Sequence, residues 1–490
     1  MLPGSGPFDD GTTRTSSGES SGEQLAEPLV ATFVIAWCRE EPDRVGELAV
    51  VPPDAQMVLG RGAPDSERRM CFFRPRPGRL EPASPLASRG LSRRQLEVRP
   101  GPDGIEVRRV GRCPMRINGV ECDEGSVAPG DTLAFRQELV LLCVRRPACP
   151  SPLRHFRPDK SGVFGSADSL GIIGESPATW LLRDELAFAA KSARHVLLVG
   201  ESGTNKELAT RAIHTLSSRA ERALVARNAA TLPSALIDAE IFGNLKNYPN
   251  PGMLDRPGLV GQADGGFLFL DEVGELSQEL QSHLLRVLDS GGEYQRLGEA
   301  ITRRSNFCLL AATNRDPADL RADLRARLTV KVELPPLSER REDIPLLVRH
   351  LVLNAASASP DLAMRFKATT PAGVTHARVD SKLIESLLHR DYAGNVRELE
   401  AVLWKAMSAS DGDFVAYVDS TLADENRKGT TEQSDGVSGR ARNRTPSEDE
   451  IREALAKATG NVAQAAKELG LSSRYALYRR LVKLGIEPSN

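Results

Sequence analysis

A loop that can bind phosphate is the first chemistry that the sequence offers, in the stretch VLLVGESGTNKELATRAIH at residues 196–214. The apolar start predicts a buried strand, residues 200–204 predict a tight turn, and Glu207 to His214 predict the beginning of a helix. Such a loop directs backbone N–H groups at phosphate oxygens, and the helix N-terminus adds a positive partial charge. Lys206 supplies a point charge for the outer phosphates. This spacing predicts a nucleotide ligand.

The loop departs from its motif at one position. Asn205 stands where Gly-x-x-x-x-Gly-Lys has its second glycine. Glycine at this point allows a positive φ and a close approach of the backbone to phosphate. Asparagine is the next most tolerant residue for left-handed geometry, but its side chain adds bulk beside the phosphates. We therefore expect the loop to bind nucleotide, with a lower affinity than a loop that has glycine there.

A pair of acids follows a second apolar stretch, GGFLFLDE, which ends in Asp271 and Glu272. An acid at the end of a strand can hold Mg²⁺, and the next acid can polarise a water molecule. The alternative is an acidic pair that only faces solvent. Together with the upstream phosphate loop, the pair favours a nucleotide site in which Asp271 is the magnesium ligand.

Length and composition set the broad class of protein. A chain of 490 residues, 40% apolar and 27% charged, predicts three or more ordinary folded domains. Seven cysteines without a Cys-x-x-Cys pair indicate reduced thiols. No apolar run reaches the ~20 residues that a membrane span needs, and the N-terminus lacks the pattern of a signal peptide. We expect a cytoplasmic protein that has no membrane partner.

Composition shifts along the chain predict its organisation. Short alternating runs near the N-terminus predict strands, whereas apolar strands later alternate with helical patterns. The predicted segments are a disordered tail (1–26), an all-β sandwich (27–147), a Pro-rich linker (148–165), an α/β domain with a mostly parallel sheet (166–422), a flexible linker (423–446) and an all-α C-terminal domain (447–490).

From about residue 170 to 405 the chain resembles the AAA+ domain of bacterial sigma-54-dependent transcription activators. The resemblance is carried by IIGESPA, GESGTxKE, RAIH, GGFLFLDEVGELS, AATNRD, LPPLSERREDIPLL and GNVRELE. It implies an α/β P-loop subdomain over 166–338, a helical lid over 339–422, and ATP with Mg²⁺ as ligands.

The resemblance also implies a role for each matching residue. The catalytic residues would be Asp271 on Mg²⁺, Glu272 orienting water, Asn228 restraining Glu272, Asn314 as first sensor, and Arg321 and Arg327 as arginine fingers. The nucleotide-binding residues would be Gly200, Glu201, Ser202, Gly203, Thr204, Asn205, Lys206, Glu207 and, as second sensor on the lid, Arg397. Fingers offered across a subunit boundary make hydrolysis depend on a ring. The alternative for either finger is a surface charge or a salt bridge.

The resemblance breaks at one loop. In the family, the loop after Phe-Gly carries the motif GAFTGA, which contacts sigma-54. The corresponding span keeps its length here, but residues 247–252 read Asn-Tyr-Pro-Asn-Pro-Gly. Because Pro249 and Pro251 restrict the backbone, we expect a stiff prong with Tyr248 as an aromatic tip. Either the sigma-54 contact is lost and the loop binds something else, or Tyr248 replaces the missing phenylalanine.

The N-terminal β-domain resembles the forkhead-associated (FHA) domain, a sandwich that binds phosphothreonine peptides. VLGRG, LSRRQL and RINGV carry this resemblance. It implies that Arg61, Ser92 and Arg93 contact phosphate and that Asn118 belongs to the same signature as a structural residue. Gln95 replaces the family's histidine, and the usual peptide-binding asparagine is missing near residues 113–114. The alternative is a sandwich that packs against its own protein without phosphate.

Charge in this region also favours an anionic partner. Residues 61–116 contain fourteen arginines and six acidic residues. The alternative is a solvated, arginine-rich surface.

The C-terminal stretch SEDEIREALAKATGNVAQAAKELGLSSRYALYRRLVKLGI resembles the DNA-binding domain of the factor for inversion stimulation (Fis). A helix-turn-helix places its second helix in the major groove. The DNA contacts would come from Ser473, Arg474 and Tyr475 at bases and from Arg479, Arg480 and Lys483 at phosphates. We expect a dimer on an inverted repeat of duplex DNA, although a helical hairpin used only for dimerisation is the alternative.

These features predict a three-module regulator with two alternative outputs. In the first, the chain binds DNA, ATP and a phosphothreonine protein, but does not remodel sigma-54 and RNA polymerase in the family's usual way, and its ATP hydrolysis is weakened. In the alternative, it is an active ATPase that opens sigma-54 promoter complexes. Asn205 and the changed loop favour the first output. The intact acid pair, sensors and arginines favour retained hydrolysis.

Overall fold

We analysed a computed structural model of the chain. It describes residues 28–417 except 63–67, 103, 232–235, 290, 371, 372 and 374, together with a few isolated positions beyond residue 450. The predicted N-terminal tail, the flexible linker and almost all of the predicted helix-turn-helix lie outside the described residues.

The N-terminal domain consists of strands arranged in two sheets. They are β1 (Val30–Cys38), β2 (Leu48–Val50), β3 (Met57–Leu59), β4 (Phe73–Arg76), β5 (Arg79–Pro82), β6 (Leu96–Pro100), β7 (Ile105–Arg109), β8 (Met115–Ile117), β9 (Val120–Cys122), β10 (Glu124–Val127), β11 (Thr132–Phe135) and β12 (Leu139–Arg146). The strand order in the larger sheet is β5-β4-β2-β1-β12-β11-β8-β9, and in the smaller sheet it is β10-β7-β6-β3. The domain is therefore β-rich, as predicted.

One hydrophobic core lies between these two sheets. Phe33 and Leu141 from the larger sheet and Leu96 and Val107 from the smaller sheet belong to the same buried cluster. β7 alternates buried and exposed residues, which is the period of a strand with one face on a core. β12 is buried along most of its length because β1 and β11 pair with it on its two sides.

The predicted linker at 148–165 is packed against the next domain. Phe156 and Phe164 are buried. The Asp184 carboxylate accepts backbone N–H groups from residues 154–156, and Arg349 donates to the Gly165 carbonyl. The segment connects two domains, but these contacts hold it on the protein surface.

The next domain is a parallel sheet with helices, as the alternating pattern predicts. Its elements are α1 (Pro177–Ser192), β13 (Val196–Val199), α2 (Lys206–Leu216), β14 (Leu224–Asn228), α3 (Ile237–Phe242), α4 (Gly258–Gln262), β15 (Phe267–Asp271), α5 (Gln278–Asp289), β16 (Glu293–Tyr294), β17 (Arg303–Arg304), β18 (Cys308–Thr313), α6 (Ala322–Arg327) and β19 (Val330–Glu333). The strand order is β14-β15-β18-β13-β19. The loops that follow β13, β15 and β18 therefore meet at one edge, because parallel strands end together.

A helical lid follows this sheet. It contains α7 (Ile344–Ala358), α8 (Pro360–Phe366), β20 (Lys367–Thr369), β21 (Thr375–Ala377), α9 (Ser381–Leu388) and α10 (Asn395–Ala409). On α10 the buried residues Val396, Leu399, Leu403 and Ala406 recur at helical spacing and face the lid core. None of the helices in the described part of the chain is both long and apolar enough to cross a bilayer.

The β-domain packs directly on the lid. Its buried residues Ala36, Val45, Ala134, Val140 and Leu142 belong to the same hydrophobic cluster as the lid helices. Burial of a shared apolar face is the main favourable term in such a contact. The two domains therefore share this cluster, which is separate from the core between the two sheets of the β-domain.

Polar contacts flank this shared core. The Trp37 indole Nε1 donates to the Val379 carbonyl at 2.8 Å, and Arg146 pairs with Glu342 at 2.5 Å. Because these polar groups are largely buried, each must find a partner for the interface to be stable. The interface thus combines apolar packing with specific hydrogen bonds and an ion pair.

The arginine excess of residues 61–116 is partly neutralised within the fold. Arg94 and Arg108 both pair with Glu97, and Arg109 pairs with Asp123. The cations of the smaller sheet therefore carry less net charge than the sequence count indicates.

Candidate functional site

The phosphate loop joins β13 to α2 as predicted. Asn205 has φ 68° and ψ 45°, which is the left-handed conformation that the motif's glycine serves. Gly203 also has a positive φ of 78°. The helix begins at Lys206, so its N-terminal N–H groups point into the loop. Asparagine at 205 therefore preserves the backbone conformation and differs from glycine in its side chain.

Lys206 lies at the centre of this loop. Its Nζ donates to the Gly200 carbonyl at 2.9 Å and to the Glu201 carbonyl at 3.1 Å. Burial lowers the pKa of Lys206, while the nearby Asp271 and Glu272 oppose that shift. The ammonium group is thus held in the loop and faces the acids of the adjacent strand.

Asp271 ends β15, and Glu272 follows in a left-handed conformation with φ 54°. Burial raises the pKa of the Asp271 carboxyl, whereas the hydrogen bond from the Glu272 N–H (3.0 Å) and the Lys206 charge lower it. A divalent cation or a phosphate-bound metal would favour the ionised form of this carboxyl. The acid pair belongs to the same site as the phosphate loop and is not a surface pair.

A cleft of about 250 Å³ brings the two motifs together. Three of its side chains are cationic and three are acidic. Asn314 comes from the end of β18, the strand beside β15. The lining residues are Ser202, Gly203, Asn205, Lys206, Glu207, Leu208, Arg211, Asp271, Glu272, Asn314 and Arg397. Four sequence stretches that are far apart in the chain therefore meet at the carboxyl edge of the sheet.

The donor set fits a nucleoside triphosphate with Mg²⁺. Lys206 and Arg397 can neutralise phosphate oxygens, and Asp271 is an oxygen donor of the kind that Mg²⁺ prefers. The described part of the chain contains no group of three or more His, Cys, Asp or Glu side chains that could hold a metal alone. Magnesium would therefore complete its coordination shell with phosphate oxygens and water.

Three predicted catalytic residues lie outside this cleft. Asn228 pairs with Asp271 in the register of β14 and β15, and its Oδ1 accepts the Ala230 N–H at 2.8 Å. Arg321 precedes α6 and pairs with Asp323 at 2.6 Å. Within one chain this arginine therefore forms a salt bridge, which is the alternative to an arginine finger. Arg327 is an exposed residue at the end of the same helix. Within one chain, neither arginine belongs to the cleft.

Asn395 is a residue of this site whose contribution the sequence did not reveal. It is fully buried at the start of α10 and donates from Nδ2 to the Glu201 carboxylate at 2.9 Å. The stretch GNVRELE contains it, but only Arg397 carried a predicted role. The available signal was its position after a glycine at a helix start, where a left-handed asparagine is common.

The loop at residues 244–256, here named the 244–256 loop, is closed on itself. Asn244 is buried and donates to the carbonyls of Leu245 and Leu254. The Gly252 N–H donates to the Asn247 Oδ1 at 3.0 Å. Asp255 also pairs with Arg296 in the loop between β16 and β17, so the 244–256 loop is held by a contact outside itself.

Tyr248, the predicted aromatic tip, is partly exposed and also contacts its own chain. Its ring lies against Gly298, where an added Cβ would come within 2.6 Å of the Tyr248 Cγ. The side chain is 47% exposed. One face of the ring therefore packs on the same chain, and the other face is accessible to solvent.

Arg61, Ser92 and Arg93 lie together in the β-domain. The Arg61 N–H donates to the Ser92 carbonyl at 3.1 Å, and the Ser92 Oγ accepts the Arg112 N–H at 3.0 Å. The side chain of Arg69, only 5% exposed, donates to the carbonyls of both Arg61 and Arg93. Arg69 thus joins the two loops and was not identified from the sequence.

Gln95 has a structural role in these loops. It is fully buried, accepts the Ser92 N–H at 3.2 Å, and donates to the Cys113 carbonyl at 2.7 Å. A glutamine has the donor and the acceptor that this pair of contacts requires.

Asn118 lies instead at the interface with the lid. It occupies a left-handed turn between β8 and β9. Its side chain contacts Asp131 and Thr132, and its Oδ1 is 3.1 Å from the His389 Nε2 of the lid. Asn118 thus stabilises a turn, and its side-chain partners connect it to the lid.

The predicted DNA-contacting residues are Ser473, Arg474, Tyr475, Arg479, Arg480 and Lys483, and they lie outside the described residues.

Three family models match consecutive parts of the chain. The sigma-54 interaction domain matches residues 172–336, the AAA+ ATPase lid domain matches 338–436, and the bacterial regulatory protein, Fis family, matches 448–484. The first two ranges contain the whole cleft, and the third contains the predicted helix-turn-helix.

Similar proteins come from several bacteria. The transcriptional regulatory protein ZraR of Salmonella typhimurium is 37% identical over 319 residues, which cover 64% of this chain and 68% of the relative. The Nif-specific regulatory protein of Bradyrhizobium diazoefficiens is 38% identical over 256 residues, or 51% of this chain and 41% of the relative. A crystal structure of NtrX from Brucella abortus in complex with ATP is 26% identical, with a TM-score of 0.45, over 64% of this chain and 69% of that chain. By its matching domains and its similarity to ZraR, the chain belongs to the family of sigma-54-dependent transcriptional activators with an AAA+ domain, its lid and a Fis-type helix-turn-helix.

Proposed function

We propose that this chain is a DNA-binding regulator whose AAA+ domain binds ATP and Mg²⁺, and whose output does not depend on the family's usual contact with sigma-54. The observation that carries the second part is the 244–256 loop. Its residues 247–252 lack the contact motif, and the ring of Tyr248 packs against Gly298 of the same chain.

The cleft supports the nucleotide part of this proposal. ATP supplies a terminal phosphoryl group whose transfer to water needs charge neutralisation and an oriented nucleophile. Lys206 and Arg397 would neutralise phosphate charge, Asp271 would hold Mg²⁺, and Glu272 would orient the water. Asn314 lines the same cleft, where its amide would face the terminal phosphate.

The loop contacts support an output other than sigma-54 remodelling. A loop that extends and retracts with the nucleotide state needs a backbone free to change conformation. Here Asn244 anchors the base through two carbonyls, Asp255 pairs with Arg296, and Pro249 and Pro251 restrict the tip. This arrangement favours a fixed contact surface over a cycling one.

Grafting Gly-Ala-Phe-Thr-Gly-Ala onto residues 247–252 tests this output. Open-complex formation on a sigma-54 promoter should be absent with the native chain and can appear only with the graft. The control is the graft combined with Glu272→Gln, which should stay inactive because water is not oriented. Efficient open-complex formation by the native chain would refute the proposal.

The alternative function is an active sigma-54-dependent ATPase. It is favoured by the complete set of acids, sensor and lid arginine in the cleft. An ATPase titration against protein concentration separates the two functions. A ring enzyme whose Arg321 and Arg327 reach a neighbour should gain specific activity steeply with concentration, and Glu272→Gln should abolish that activity.

The β-domain is proposed to bind a phosphothreonine segment of another protein. Arg61, Ser92 and Arg93 lie on neighbouring loops, where guanidinium groups and a hydroxyl suit phosphate. Among the described residues, the buried Nε atoms of Arg61 and Arg69 have no hydrogen-bond partner. An unpaired buried donor is costly, and because Arg61 is partly exposed whereas Arg69 is buried, an anion beside these loops would satisfy the Arg61 donor.

A second role for the β-domain is favoured by its packing on the lid. A β-sandwich whose only role is to pack on the lid of the same chain would need this interface and would not need to bind a phosphopeptide. The two roles are compatible, because the lid contacts lie at Asn118, Trp37 and Arg146, whereas Arg61 and Ser92 belong to different loops.

The Fis-type region is proposed to bind an inverted repeat of duplex DNA as a dimer. A ring of AAA+ domains and a dimer on DNA are both homo-oligomers, and they would use different surfaces of the chain.

A further inference from the structure

Asn395 connects three parts of the AAA+ domain through one side chain. It begins α10 with a left-handed backbone (φ 50°) and is fully buried. Its Oδ1 accepts the Leu337 N–H at 2.7 Å, where the lid begins. Its Nδ2 donates to the Glu201 Oε2 at 2.9 Å and to the Ser202 carbonyl at 3.0 Å, both in the phosphate loop. The carboxamide is thus the common partner of the loop, the lid entry and α10.

The chemistry of these contacts selects an asparagine. One acceptor atom faces an N–H donor, and one donor group faces a carboxylate and a carbonyl. An aspartate of the same shape would place a negative oxygen against Glu201 and Ser202. An alanine would leave the Leu337 N–H and the Glu201 carboxylate without this partner, which is costly in a buried site.

The backbone around Asn395 is in contact with the loop as well. The Val396 N–H donates to the Gly203 carbonyl at 3.1 Å. A Cβ on Gly203 would lie only 2.0 Å from the Gly394 carbonyl oxygen. The start of α10 therefore rests on the phosphate loop with no room for a side chain between them.

Arg397 follows two residues later and enters the cleft. Its Nη1 is 3.4 Å from the Ser202 Oγ. By these contacts the Asn395 side chain faces the loop and the lid entry, whereas Arg397 lines the cleft. Anything that moves the start of α10 must move this guanidinium relative to the phosphates.

We propose that Asn395 is a positioning residue that fixes the lid on the phosphate loop through Glu201 and thereby sets the place of Arg397 over the nucleotide. The inference rests on the proposed nucleotide function. It also gives Glu201 a role that a phosphate loop alone does not explain, because its carboxylate receives the lid amide and not a phosphate.

The first test uses Asn395→Asp in the full chain, with nucleotide affinity and single-turnover ATP hydrolysis as readouts. We expect a loss of about tenfold or more, since a buried polar contact becomes a repulsion. Arg397→Ala should lower the same two quantities, the nucleotide affinity and the single-turnover rate. The double variant Asn395→Asp/Arg397→Ala should be no worse than Arg397→Ala, because the first residue acts through the second. Additive losses would overturn the proposal.

Rescue separates positioning from damage to the fold. In Glu201→Gln/Asn395→Asp the glutamine amide can donate to the new carboxylate, so affinity and turnover should recover part of the loss. Glu201→Gln alone should be mild, because its Oε1 can still accept from Asn395. Asn354→Asp, on the exposed side of α7, is the matched control for the charge change. If the double variant is as impaired as Asn395→Asp, the Glu201 contact does not position the lid.

Hydrogen exchange measured without nucleotide tests the proposal independently of catalysis. In Asn395→Asp the Leu337 amide and the amides of residues 200–205 should exchange faster than in the native chain. If the native chain binds no ATP, the proposed function fails, and exchange still decides the role of Asn395. If the native chain binds ATP but exchange and turnover are unchanged in Asn395→Asp, the positioning role is wrong and the nucleotide function stands.

Discussion

Arg116 of the β-domain and Glu385 of the lid form a salt bridge of 2.7 Å across the interface between the two domains. The Glu385 side chain is 9% exposed, and burial raises the pKa of its carboxyl while Arg116 lowers it. The ion pair thus opposes the effect of burial on this acid at the domain boundary. It lies beside the apolar contact of Val140 and Leu142 with the lid helices.

Removing Arg116 should loosen this interface in a pH-dependent way. Arg116→Ala leaves a buried carboxylate unpaired, which should cost about 2 kcal/mol at pH 8. The pKa of Glu385 is raised in the folded state, so its protonated form is favoured there, and stability is lost as the pH rises through that pKa. The cost should therefore shrink towards about pH 5.

The measurement is the thermal midpoint of the native and variant chains at both pH values. Arg116→Ala/Glu385→Gln is the control, because it has no unpaired charge and should show little pH dependence. An Arg116→Ala penalty that is equal at both pH values would contradict the assignment to Glu385.

Replacing Asn205 with glycine should tighten ATP binding. The backbone at 205 already has the left-handed conformation, so any backbone strain is present before and after binding. The gain should come from removal of a side chain that lines the cleft, and we expect an effect on the order of tenfold, or about 1.4 kcal/mol. Isothermal titration with ATP measures it, with Lys206→Ala as the variant that should lose binding. Equal or weaker affinity in Asn205→Gly would exclude the steric explanation.

The β-domain should bind phosphothreonine peptides and not their unphosphorylated forms. Screening a peptide library on the full chain gives the ligand, and Arg61→Ala or Ser92→Ala should then weaken binding by about tenfold, because a charge-assisted hydrogen bond is lost. Arg108→Ala is the matched control, since this exposed arginine pairs with Glu97. Equal binding of phosphorylated and unphosphorylated peptides would favour a domain that serves only to pack on the lid.

A fragment of residues 440–490 should bind duplex DNA as a dimer, with an affinity that rises steeply as salt is lowered, because counterions are released. Arg480→Ala should weaken binding to all sequences alike, whereas Arg474→Ala should reduce sequence preference. Gel-shift titrations on specific and unrelated duplexes at two salt concentrations distinguish these effects. A fragment that does not bind DNA even at low salt would contradict the assignment.

Local sequence patterns were enough to predict the three modules and most of the candidate nucleotide site. Strand, loop and helix patterns are local, so the phosphate loop and the acids at the end of β15 could be located from residue types alone. The left-handed conformation of Asn205 also followed from sequence, because few residues other than glycine tolerate it. The family motifs then identified Asn314 and Arg397, which the structure brings into the same cleft.

The contacts between the modules could not be predicted from the sequence, because they depend on the folded chain. The contacts of Asn395 with Glu201, of Arg116 with Glu385, and of Tyr248 with Gly298 all join residues that are distant in sequence. Hydrophobic periodicity indicates that a face is buried, but not what covers it. The apolar face of the β-domain could therefore be predicted, whereas its packing on the lid depended on the complementary shape and charge of two surfaces that come together only in the folded chain.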